Sequence, residues 1–188
     1  MRNDFIQFCN RLSPLNKKAT KDLSDVLKYK SIKKNDYLLK CGEVCRHLYF
    51  INEGLTKTYF INKGKDFIMK FFSERSMFTV LDSFLSQAPS KYMVLALEPT
   101  TITYITHTEL EALCKKHHCF ETFFRKVNSL ASISMMKRIS ETLEENATER
   151  YHDFVNGDHS LIQRISLGDL ASYLGITQVS LSRIRARK

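Results

Sequence analysis

Between Tyr29 and about residue 105 the chain is a succession of short β-rich runs set apart by glycine-bearing turns. The runs are Tyr37 to Leu39, Leu48 to Ile51, Leu55 to Phe60, Phe67 to Phe72, Tyr92 to Leu97 and Ile102 to Ile105. Cys41-Gly42-Glu43, Asn52-Glu53-Gly54 and Asn62-Lys63-Gly64-Lys65 supply turn signals between several of them. Strands so short and so regularly spaced predict a compact antiparallel barrel or roll.

Helical patterns flank this region. Phe5, Ile6, Phe8, Leu12, Leu15, Leu23, Val26 and Leu27 predict two short helices, with Ser13-Pro14 opening the second. The strand pattern stops at Thr108, and Glu109 to Lys115 reads as a short helix. From Phe120 to Asn146 there is no Gly and no Pro, which predicts one long helix of roughly 40 Å. Along it Phe123, Val127, Leu130, Met136, Ile139 and Leu143 recur at three- or four-residue intervals with some drift, the step from Leu130 to Met136 being six. Such a stripe either pairs with a partner helix or packs inside its own subunit. A further helix over Ala147 to Val155 ends at Asn156-Gly157-Asp158.

The last segment, Ser166 to Lys188, is read position by position. Ser166 with Asp169 three residues on is a helix-start signal. Leu167, Leu170, Ala171 and Leu174 share one face, and Ala171 is small where two helices must approach. Gly175 suits the left-handed end of a helix. Ile176 plugs the turn, and the Thr177 hydroxyl is placed to cap a second helix. On that helix Leu181 and Ile184 face the core. This is the pattern of a helix-turn-helix, which lays its second helix in the DNA major groove. The residues left to meet DNA are Thr177, Gln178, Val179, Ser180, Ser182, Arg183, Arg185, Arg187 and Lys188. An Arg suits guanine O6 and N7, and a Gln suits adenine. Ser180, Arg187 and Lys188 are placed for phosphates, which position the protein without specifying sequence.

Composition supports a polyanionic partner. The chain has 29 Lys and Arg against 20 Asp and Glu, a net charge of +9. No apolar run approaches the roughly 18 residues of a membrane span, and no signal peptide precedes the first helix. Five cysteines without framework spacing then read as reduced thiols in a cytoplasmic protein. Cys41-x3-Cys45 and Cys114-Lys-Lys-His117-His118-Cys119 lack the paired knuckles of a structural zinc site, so no metal is expected. There is no Gly-rich phosphate loop, no His-Glu-x-x-His and no nucleophile elbow, so an enzyme is not expected either.

The order β-roll, long helix, helix-turn-helix resembles the Crp/Fnr family of bacterial transcription regulators. The stretch Ala171-Ser-Tyr-Leu-Gly-Ile-Thr177 through Leu181-Ser-Arg-Ile-Arg185 carries the resemblance most specifically. Glu149-Arg150-Tyr151, the Gly42-Glu43 turn and the Leu48 to Gly54 run add to it, and short Bacteroidetes-type members look closest. The resemblance implies an α+β chain in three parts. Residues 1–115 form a cyclic-nucleotide-binding-like antiparallel β-roll with flanking helices, 116–146 a dimerisation helix, and 147–188 the DNA-binding helix-turn-helix. It implies double-stranded DNA, a second copy of the chain and RNA polymerase as partners, and no membrane.

Two departures from the family pattern matter. Cyclic-nucleotide members carry a phosphate cassette, with Gly-Glu-Leu at one end and Arg-Ser or Arg-Thr at the other. Here Val80 and Leu81 stand at Gly-Glu, and Lys91 and Tyr92 at Arg-Ser. Leu81 cannot accept a ribose hydrogen bond, and Lys91 is a point charge where the family has a fork. Cyclic AMP is therefore disfavoured and no cofactor is assigned. Val80, Leu81, Asp82, Ser83, Lys91 and Tyr92 are kept as a candidate pocket for some other effector. In the reading helix, Gln178-Val179-Ser180 replaces a common Pro-Glu-Thr, so Val179 meets a thymine methyl where a Glu would meet cytosine. No β-wing of the kind longer members carry is expected after the reading helix. The competing reading is a ligand-binding or protein-interaction module of the same fold that has lost DNA recognition.

Overall fold

The computed structural model describes residues 2–157 and 159–186. Two helices, α1 (Arg2–Leu12) and α2 (Lys17–Val26), precede the strands. Asn16, not Ser13-Pro14, opens α2: its side chain accepts from the Ala19 N–H at 2.9 Å. The Ser13 N–H instead closes the end of α1 on Cys9 O.

Eight strands follow: β1 (Lys28–Ile32), β2 (Tyr37–Leu39), β3 (His47–Glu53), β4 (Thr56–Asn62), β5 (Lys65–Phe72), β6 (Met77–Phe78), β7 (Met93–Ala96) and β8 (Thr100–Thr106). They form two four-stranded sheets, ordered β1-β8-β3-β6 and β2-β7-β4-β5, and every pairing is antiparallel. The expected roll is present, with β1 and β6 added. β1 reads Lys-Tyr-Lys-Ser-Ile, exposed except at Ile32. It is an edge strand, where lysines guard against pairing with another chain.

Alternation along β3 divides the core. Phe50 points outward and meets Phe5 and Phe8 of α1, ring centres 5.8 Å apart in each case. Tyr49 points inward, stacked at 5.3 Å on Phe78, which stacks at 4.3 Å on Phe72 of the opposite sheet. The interior of the roll is thus bridged by aromatic rings. The β3–β4 turn passes so close to β8 that only glycine fits. Gly54 has φ +105, and a Cβ there would lie 2.6 Å from Thr100 Cα.

β8 runs directly into α4 (His107–Lys116) through a capping box, with Thr106 and Glu109 bonding reciprocally. Next come α5 (His118–Glu144), α6 (Ala147–Gly157), α7 (His159–Arg164), α8 (Leu167–Leu174) and α9 (Gln178–Ala186). A short helix, α3 (Leu81–Ser86), lies between β6 and β7. Phe120 and Phe123 bury the start of α5 against α1 and the roll. Beyond them α5 leaves the core, and Leu130, Ile133, Met135, Met136, Ile139 and Leu143 are all more than half exposed.

The C-terminal helices do not stand apart. They fold back onto the outer face of the second sheet. Phe154, Leu161, Ile165 and Tyr173 pack on Leu55, Tyr59, Ile68, Phe71 and Met93. Phe71, Phe154 and Tyr173 make a ring triangle with centres 5.1 to 6.3 Å apart. No helix among the described residues is long and apolar enough to cross a membrane.

Candidate nucleic-acid interface

The segment from Ser166 to Ala186 has the local geometry its sequence predicts. Ser166 Oγ accepts from the Asp169 N–H at 3.0 Å and donates to Asp169 Oδ2 at 2.8 Å, capping α8. Gly175 adopts φ 71, ψ 29, and its N–H closes α8 on Ala171 O. The Ile176 N–H bonds the same carbonyl at 3.0 Å, which tightens the turn. Thr177 Oγ1 accepts from the Ser180 N–H at 3.1 Å at the start of α9. Leu170, Ala171, Leu174 and Leu181 form a buried knot between the two helices.

Burial sorts the expected reading residues. Thr177, Gln178, Val179, Ser182, Arg183 and Arg185 are exposed, and Val179 shows 61% of its surface, high for an apolar side chain. α9 has no acidic residue in its first turn and carries Arg183 and Arg185 in its last. The Ser180 hydroxyl already pairs with Thr177 Oγ1 at 3.0 Å. Arg187 and Lys188 lie outside the described residues.

Gly168 is a neighbour that the spacing did not single out. A Cβ on it would stand 2.8 Å from Gln178 Nε2. The carboxamide of Gln178, first residue of α9, therefore rests over the first turn of α8, where any larger residue would displace it. A glycine inside the first turn of an apolar helix was the available signal.

Several cations of the basic excess hold the unit instead of facing solvent. Arg150 donates to Leu174 O at 3.1 Å and to Glu145 O, tying the end of α5 to the helix-turn-helix corner. Arg138 of α5 lies 4.0 Å above the Tyr173 ring and donates to Tyr173 O. Arg164 spans Glu74 at 2.8 and 2.9 Å and also donates to Glu98. The Arg164 guanidinium holds the Glu74 carboxyl down at about 2.

The candidate effector residues are largely used internally. Val80 is buried and precedes α3 without a side-chain cap. Ser83 is 2% exposed; it accepts from the Cys45 N–H at 2.9 Å and donates to Ala88 O. Leu81 is half-buried and Asp82 exposed. Lys91 is exposed, its ammonium 5.1 Å from the ring centre of Tyr92. Tyr92 meets Phe60 edge-on at 5.8 Å. Nearby, His47 sits between the Tyr49 and Tyr104 rings, and burial lowers its pKa. Among the described residues no group of three or more His, Cys, Asp or Glu side chains is placed to hold a metal ion.

Comparison with known proteins agrees with this architecture. Residues 29–117 match the family model of the cyclic nucleotide-binding domain. A solved chain from Eubacterium rectale assigned to the Crp/Fnr family superposes with a TM-score of 0.73 at 17% identity, covering 90% of this chain and 82% of that one. FixK2 from Bradyrhizobium japonicum gives 0.73 at 16% identity, covering 86% of this chain and 84% of its own. The catabolite activator protein of Thermus thermophilus gives 0.58 at 14% identity, with 92% and 83% covered. No curated protein sequence matches at a significant level. The chain therefore shares its fold with solved Crp/Fnr-type chains, and its residues 29–117 match the cyclic nucleotide-binding domain.

Proposed function

We propose that this chain is a homodimeric, DNA-binding transcription regulator of the Crp/Fnr type. The observation that carries the reading is α9. It is capped, packed on α8 through Leu181, and presents Gln178, Val179, Ser182, Arg183 and Arg185 to solvent with no acidic residue among them. A helix that spends its buried face on one partner helix and keeps a polar, basic outer face is built to enter a major groove. Thr177 and the terminal Arg187 and Lys188 then meet phosphates, while Gln178 and Arg183 are the base readers. The Ser180 hydroxyl, engaged with Thr177, meets phosphate only by turning from it.

The exposed stripe of α5 supplies the second copy. Isolated exposed apolar residues need no explanation, but a row along one helix does. Two copies paired through it would set two reading helices about 34 Å apart, so the DNA site is a near-palindrome. The cassette residues argue against cyclic AMP as the signal, since Leu81 offers no acceptor and Ser83 is committed within the protein. RNA polymerase is the further partner such a regulator touches.

Binding-site selection from random duplexes tests the proposal. The expected result is an enriched site with two inverted half-sites, and affinity that falls steeply with salt. Enrichment of no sequence at physiological salt would favour a ligand-binding or protein-interaction module instead.

A further inference from the structure

The helix-turn-helix is joined to the second sheet by more than apolar contact. Lys57 sits on β4 in the middle of the covered face, its side chain 8% exposed. Its ammonium donates to Asp169 Oδ1 at 2.6 Å and lies 4.7 Å from the Tyr59 ring centre. Asp66 of the hairpin stands 3.8 Å away. Asp169 belongs to the capped first turn of α8, bonded to Ser166 on its other oxygen. The next residue back is Gly168, on which the Gln178 carboxamide rests. Contacts therefore run from a β-strand, through one helical turn, to the first residue of the reading helix. Toward the end of the same face Arg164 closes α7 onto Glu74 and Glu98, and Glu74 also accepts from the Gly54 N–H at 2.8 Å.

A lysine is a poor choice for adding stability to a covered apolar sheet face. Desolvation offsets most of what an ion pair gains there, and the best-attested use of such pairs is to fix one arrangement over others. The arrangement fixed here leaves α9 open, because the clamp grips α7 and the first turn of α8 while the outer face of α9 stays exposed. Masking of the reading surface is thus not what the contact does.

We propose that Lys57 is a positioning residue for DNA reading: with Arg164 it holds the helix-turn-helix to the β-roll in one orientation, so that a dimer presents its two α9 helices at a set separation. This rests on the DNA-reading function proposed above. Engagement of the second half-site is an intramolecular step, favourable only when the geometry of the first already suits it. A loosened clamp lowers that effective concentration and leaves the contacts of each α9 with its own half-site untouched.

The test uses the full-length protein with Lys57→Glu, Asp169→Lys and the exchanged pair carrying both. Affinities are measured for the selected duplex and for a duplex with one half-site only. Hydrogen exchange of α7 and α8 is followed without DNA. Each single variant should weaken binding to the two-half-site duplex by about tenfold, in the lower part of the usual range for coupling between sites. The single-half-site affinity should stay unchanged, and the exchanged pair should recover most of the loss. Equal weakening on both duplexes without recovery would mean a merely unfolded helix-turn-helix and would overturn the proposal. Unchanged two-half-site binding by Lys57→Glu would overturn it as well. If the wild-type chain prefers no duplex, the DNA-reading function fails on its own. The exchange data then decide: faster exchange in α7 and α8 of Lys57→Glu supports the clamp, and unchanged protection refutes it.

Discussion

Ile133→Asp tests the proposed dimer where the structure allows a magnitude. Ile133 lies midway along the exposed stretch of α5, with 64% of its surface open. Complete burial of such a side chain stabilises by about 1.5–3 kcal/mol, so covering the open part is worth about 1–2 kcal/mol on each helix. In a two-fold interface every residue occurs twice, which makes about 2–4 kcal/mol per dimer. At about 1.4 kcal/mol per decade, that weakens the dimer roughly 30- to 700-fold before the two new carboxylates are counted. Their desolvation and mutual repulsion push in the same direction. Within a monomer the same substitution costs little, because the site is already exposed and Asp is only a modestly poor helix former. Sedimentation equilibrium without DNA, over a range of protein concentrations, reads the shift. Leu85→Asp on α3, also more than half exposed, is the control and should leave the dissociation constant unchanged. An Ile133→Asp protein that associates like wild type would refute the reasoning, as would a wild-type chain that stays monomeric throughout.

Three further outcomes are expected. Arg183→Ala should cost about 1–3 kcal/mol of binding to the selected duplex and relax preference at one base pair, as a lost bidentate guanine contact does; unchanged selectivity would show that the wrong face of α9 has been taken as the reader. Gly54→Ala should destabilise by about 2–5 kcal/mol in urea unfolding, combining left-handed strain with overpacking against Thr100. Gly64→Ala, with positive φ but nothing within 4 Å of its Cβ, should cost only the strain, about 1–2 kcal/mol. Acid should weaken the fold in a defined window. The Glu74 carboxyl is lowered from 4.5 to about 2 by Arg164, and that of Asp22 from 3.8 to about 2 by Lys116 and His117. Groups held low stabilise fully above their unfolded values, and the gain is lost as pH falls through the folded ones. Urea midpoints should therefore drop between pH 4.5 and about 2, and Glu74→Gln should flatten part of that drop.

Local rules make much of this molecule legible in its sequence. The long helix was expected over 120–146 and spans His118–Glu144. The Ser166, Gly175 and Thr177 signals each do what their chemistry suggests, since caps and left-handed glycines act within one turn of chain. Short elements were lost where neighbours, not periodicity, decide. β1 is held by β8, and α3 and α7 are each a turn and a half that survive only by packing. The sequence pattern puts the α4 start late, at Glu109, because the capping partner Thr106 also ends a strand. Least visible were the uses of Lys57, Arg138, Arg150 and Arg164. Arg164 bonds Glu74 across 90 residues, and no spacing rule connects them. Excess positive charge points to a polyanionic partner, whereas several of these cations serve to hold the chain to itself.

The triangle of Phe71, Phe154 and Tyr173 bears on how the protein unfolds. The four helices over 147–186 together are about as short as a segment can be and still fold unaided. Here their buried knot is small, and their Phe154 and Tyr173 rings pack on Phe71 of a sheet that was made some 80 residues earlier in the chain. Strand face and helices thus share one hydrophobic centre, and neither can lose it alone. Heat or urea should take them apart in a single cooperative transition. The helices expressed without the strands should lack fixed tertiary structure.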